Sequence, residues 1–83
     1  MNPVESLTYI CQNFKERKYG LQEFQSRLES LMISDELKLY LEKPMNDAIN
    51  RLEEIRFCSQ ESNFYRYGVE VAENLLETIK NIK

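Results

Sequence analysis

The chain has 83 residues, 42% of them apolar and 30% charged, with a net charge of −3 at neutral pH. A length near the lower end of what folds unaided predicts one domain over residues 1–83 with a single shared core, and the composition excludes a disordered chain. The excess of acid disfavours nucleic acid and anionic membranes as partners, because both would repel it, and only two Gly and two Pro leave little material for the turns of a β-sandwich.

Asn2, Pro3 and Glu5 form a helix start: Asn2 can cap, Pro3 suits the first helical position, and Glu5 stands at capping-box spacing. Val4, Leu7, Ile10, Cys11 and Phe14 then recur three and four apart, which predicts one buried stripe. Lys15, Arg17 and Lys18 collect where the helix dipole favours cations, and Gly20 is the expected stop. Leu21 to Met32 predict a second helix with Leu21, Phe24, Leu28 and Leu31 inside. A turn this short folds it back on the first as an αα-hairpin. A helix-turn-helix reading of the pair would turn Gln22, Gln25, Ser26 and Arg27 towards bases, but Glu23 and Glu29 on the same helix would oppose phosphates.

Ser34, followed by Asp35 and Glu36, signals a third helix. Its stripe of Leu37, Leu41, Met45, Ala48, Leu52 and Ile55 stays in phase across Pro44, a residue that interrupts the hydrogen-bond ladder. A kink or a break near Tyr40 to Pro44 fits, and a break is the favoured expectation because Leu39 and Tyr40 lie off the stripe. Phe57 and Cys58 close this helix, and residues 59–63 are a polar connection in which Ser62 or Asn63 can cap the next one. The last helix runs from about Phe64 to Asn81, with Lys80 and Lys83 at its dipole-favoured end. Gly68 inside it is either a mild weakness or a place of close approach. Three long amphipathic helices and a short second one make a four-helix bundle.

Chemistry of its own is not expected. The chain has no histidine, no Cys-x-x-Cys, no phosphate-binding glycine loop and no serine-centred elbow, so no metal, cofactor or nucleophile is predicted. Cys11 and Cys58 cannot build a disulfide framework and are read as small buried hydrophobes in a reduced, cytoplasmic compartment. No apolar run approaches a membrane span.

Charge and aromatic placement carry the remaining signal. Residues 1–33 are neutral overall, and the entire net charge falls in residues 34–83. On the last helix Val69, Ala72, Leu75, Leu76, Ile79 and Ile82 occupy one side, and Glu70, Glu73 and Glu77 the other. Glu53, Glu54 and Glu61 add carboxylates nearby, and Tyr65 and Tyr67 are aromatic anchors among them, a composition suited to gripping a basic protein surface. The same aromatics also serve as a plug for one end of the bundle, with hydroxyls in solvent.

Phe14-Lys15-Glu16-Arg17-Lys18-Tyr19-Gly20-Leu21-Gln22-Glu23-Phe24, then Leu52-Glu53-Glu54-Ile55-Arg56-Phe57, then a closing amphipathic helix, form an order of features that resembles the colicin D type of immunity protein and related immunity proteins of contact-dependent and other polymorphic toxins. The resemblance implies an antiparallel four-helix bundle that binds a toxin's nuclease domain and covers its basic RNA-binding cleft, with carboxylates in place of phosphates. The competing expectation is a non-catalytic adaptor that dimerises or docks helices through Leu39, Tyr40 and Phe57.

Overall fold

The computed structural model describes residues 2–82. Four α-helices, α1 (Pro3–Lys15), α2 (Leu21–Ser30), α3 (Asp35–Cys58) and α4 (Phe64–Ile82), form the fold, and a 3₁₀ turn at Glu61–Asn63 leads into α4. Each helix packs on its neighbour in the chain, and α1 also packs on α4, which closes the bundle. The end of α1, the start of α2, the end of α3 and the start of α4 meet at one end of the molecule, where Phe14, Leu21, Arg56 and Phe64 line a common cleft.

The apolar stripes converge as their spacing dictates. Leu7, Cys11 and Phe14 of α1 meet Leu21, Phe24 and Leu28 of α2, Leu41, Leu52 and Ile55 of α3, and Ala72, Leu75 and Ile79 of α4. At the shared end the Phe14 ring stacks on Phe24 with centroids 4.5 Å apart and on Tyr65 at 5.6 Å. Such pairs add about 1 kcal/mol each beyond their area burial. Val71 is also buried although it lies outside the α4 stripe read from spacing. Because α4 packs against both α1 and α3, its covered face is wider than one row of side chains.

Three expectations are corrected. The break at Pro44 does not occur: α3 is one uninterrupted 24-residue helix with Pro44 inside it. An interior proline costs about 3 kcal/mol, but Leu41 and Met45 before and after it are both buried, at about 1.5–3 kcal/mol apiece. Keeping the two halves in phase therefore outweighs the missing hydrogen bond. Leu39 and Tyr40 do not join the core and are 84% and 58% exposed.

Gly20 is not the stop of α1. The helix ends at Lys15, and Arg17 takes the left-handed position with φ 64°. The Arg17 N–H donates to the Phe14 carbonyl at 2.9 Å and the Lys18 N–H to the Asn13 carbonyl at 3.0 Å, the two bonds of a Schellman closure. Gly20, in extended backbone, serves as the N-cap position of α2. The start of α1 is as expected, with the Asn2 side chain accepting from the Glu5 N–H at 2.8 Å. Lys83 lies outside the described residues.

The cysteines differ from each other. Cys11 is fully buried, and burial raises its thiol pKa to about 12, against a smaller lowering by Lys15. Cys58 is exposed at the end of α3, because the last turn of that helix extends past the core residue Ile55. A thiol reagent is expected to label Cys58 in the native protein and Cys11 only after unfolding; mass spectrometry of the native reaction checks this, and equal labelling of both would contradict it. The folded pKa of Cys11 lies above its unfolded value of 9.0. Its contribution to stability is therefore complete below pH 9 and is lost as pH rises towards 12.

Candidate partner-binding site

The eight residues read as contacts are sorted by the fold into separate places. Glu70, Glu73 and Glu77 are all exposed on α4, opposite its buried row of Gly68, Ala72, Leu75 and Ile79. Spacings of three and four residues line the three carboxylates along one face over roughly 10 Å. Glu73 also reaches Lys15 of α1 at 3.5 Å, a solvent-exposed pair worth at most about 1 kcal/mol. Among the described residues Glu70 and Glu77 make no ion pair, so the face retains unneutralised negative charge.

The α3 carboxylates do not extend that face. Glu54 is bound by Arg51, whose guanidinium also lies 5.9 Å from the centre of the Tyr67 ring. Arg66 covers the same ring at 5.0 Å and donates to the Tyr67 hydroxyl at 3.2 Å. Tyr67 is thus flanked by two cations, and Arg51 and Arg66 divide the continuous acidic surface expected across the last two helices. Glu53, about 100° round the helix from Glu54, is exposed without an ion pair among the described residues. It occupies the flank of α3 from which Arg56 reaches Gln25 of α2 at 2.9 Å.

Glu61 and Tyr65 belong to the end of the bundle. Both line a cleft of about 600 Å³ with Arg17, Tyr19, Gln22, Arg56 and Phe64. The hydroxyl of Tyr65 donates to the Lys15 carbonyl, and Arg17 lies 3.8 Å over its ring. Its hydroxyl therefore ties α4 to the end of α1 instead of standing in solvent. Tyr19 is fixed similarly, donating to the Ile10 carbonyl at 2.6 Å. Burial raises its phenol pKa, and the Arg27 guanidinium lowers it by less, so the hydroxyl keeps its proton at neutral pH.

All five arginines of the chain, Arg17, Arg27, Arg51, Arg56 and Arg66, lie over aromatic rings. Among the described residues none of them forms an ion pair with the outward carboxylates of α4. Arg17 and Arg56 were not legible as neighbours, since one follows α1 and the other lies near the end of α3. On α2, Gln25 is 95% buried and accepts from Arg56, which removes it from the base-reading surface a helix-turn-helix would need.

Among the described residues no group of acidic, histidine or cysteine side chains is placed to hold a metal ion, and no helix is long and apolar enough to cross a membrane. Comparison with family models, with curated proteins and with solved structures finds no match to this chain.

Proposed function

We propose that this chain is a stoichiometric inhibitor, an immunity protein that binds the basic nuclease domain of a cognate toxin in the cytoplasm and acts without catalysis of its own. The observation that carries the reading is the outward face of α4, where Glu70, Glu73 and Glu77 are exposed in register and Glu70 and Glu77 have no cationic partner among the described residues. A negative field on a rigid helix accelerates encounter with a basic cleft and fixes orientation. Carboxylates spaced along one helix face can occupy the positions that phosphates of a nucleic-acid substrate would take. The colicin D type resemblance supplies the class of partner, and the placement of charge supports it. Co-expression with a toxin nuclease domain, sought among the genes beside this one, tests the proposal. Survival of cells carrying both proteins is the expected result, and killing at equal expression would overturn it.

A second reading, a helical adaptor that pairs with a copy of itself, is favoured by Leu39, Tyr40 and Phe57, which are 84%, 58% and 76% exposed. Leu39 and Phe57 are eighteen residues apart on one helix, about 27 Å, with Asn46, Asn50 and Glu53 exposed between them. That separation makes two small apolar spots instead of one patch of interface size. Light scattering is expected to give a monomer; a stable dimer lost on Leu39→Ser would favour the adaptor.

A further inference from the structure

We propose that the cleft at the end of the bundle is a binding site for a phosphate group, held between Arg17 and Arg56. This goes beyond the inhibitor reading, which rests on another face of the molecule. The cleft has a volume of about 600 Å³ and is walled by the turn after α1, the start of α2, the end of α3 and the start of α4. Arg17 and Arg56, from separate elements, are both among its lining residues. Neither forms an ion pair among the described residues, in contrast to Arg27 with Glu23 at 3.0 Å and Arg51 with Glu54.

Both guanidiniums are held before any ligand arrives. The guanidinium carbon of Arg17 lies 3.8 Å from the centre of the Tyr65 ring, a cation–π contact that requires none of its N–H donors. Arg56 spends one nitrogen, Nη1, on Gln25 at 2.9 Å and retains its other donors. Two planar forks from different elements suit a tetrahedral oxyanion, which offers acceptor oxygens on more than one edge. The tyrosine hydroxyls do not compete, because Tyr19 and Tyr65 donate to the carbonyls of Ile10 and Lys15. The cleft is wider than a phosphate, and the rings of Tyr19 and Phe64 in its lining offer an apolar wall to the organic part of a phosphomonoester. Glu61 in the same lining opposes an anion, and this gives the site a second, oppositely signed test.

The experiment is an NMR titration of the ¹⁵N-labelled full chain with inorganic phosphate, and separately with adenosine 5′-monophosphate, following the arginine Nε–H and backbone signals. Saturable shifts at Arg17 and Arg56 are expected with both probes. Tighter binding of the nucleotide assigns the aromatic wall to its base, and equal binding assigns the site to the phosphate group alone. Arg17→Ala should weaken either probe roughly tenfold or more, the usual scale for losing a charged hydrogen-bond donor, and Glu61→Gln should tighten it. Glu77→Gln, on the outward face of α4, should leave it unchanged. Shifts no larger than chloride produces at equal ionic strength, or affinities unmoved by both Arg17→Ala and Glu61→Gln, would overturn the proposal.

Discussion

Replacing Gly68 with alanine is expected to destabilise the protein by about 1–3 kcal/mol, although alanine is the better helix former by about 1 kcal/mol. A methyl group on Gly68 would stand 2.6 Å from Cε2 of Phe14 and 2.7 Å from Cδ1 of Leu21. Phe14 cannot yield cheaply, because it is 2% exposed and its ring is stacked on both Phe24 and Tyr65. Leu21 is 4% exposed in the same core. Relief therefore requires α4 to move away from α1 and α2, which would also strain the Tyr65 bond to Lys15. In a domain of this size 1 kcal/mol corresponds to roughly 4–8 °C in Tm, so thermal unfolding by circular dichroism resolves the effect. A Gly68→Ala protein as stable as the parent would show that the contact with Phe14 is not tight.

Converting Glu70, Glu73 and Glu77 together to glutamine is expected to weaken binding of the nuclease domain by about 3 kcal/mol, roughly a hundredfold in Kd. Close charge pairs across an interface couple by about 1.5 kcal/mol each at the low end, and Glu70 and Glu77 supply two of them, since Glu73 already pairs with Lys15; every 1.4 kcal/mol is tenfold. Stability should change little, because the three side chains are exposed and the one bridge lost among the described residues, Lys15 to Glu73, is worth at most about 1 kcal/mol. Calorimetric titration separates the two effects: a loss of affinity at unchanged Tm is the signature of a contact surface. A triple variant that binds as the parent does would remove the role of this face. Salt should weaken the parent more than the variant, since exposed charges are screened.

Helix positions were legible wherever periodicity and caps agreed. The Asn2 cap, the stripe of Leu7, Cys11 and Phe14, and the stripe of α3 through Leu52 and Ile55 follow from spacing alone, because one-sided burial is what forces that spacing. Pro44 misled because local backbone chemistry argues for a break, and the decision belongs to packing along the whole length of α3. Gly20 misled for a related reason. Glycine is the cheapest residue for a left-handed closure, yet the closure falls where α1 must end to meet its neighbours, and that position holds Arg17.

The candidate site was legible only in part. The outward row of α4 depends on one helix, so its sequence contains the whole pattern. The fate of Tyr65 and Tyr67 depends on arginines contributed by other elements, Arg17 and Arg51, and no spacing within one segment encodes those meetings, whereas the Arg51–Glu54 pair lies three residues apart on α3 and was open to reading from spacing. The end cleft was invisible for the same reason: its residues come from two separate stretches of chain, 14–22 and 56–65, that only the closed bundle brings together.

Inhibition by this chain requires the outward row of α4 to be the surface that a cationic protein covers. Amide chemical-shift mapping of the ¹⁵N-labelled chain in complex with the nuclease domain measures this directly. Perturbations centred on residues 70–77 are expected, with the outer ends of α3 near Leu39 and Phe57 unaffected. Perturbations centred on Leu39, on Phe57 or on the cleft of Arg17 and Arg56, with residues 70–77 unmoved, would contradict that requirement.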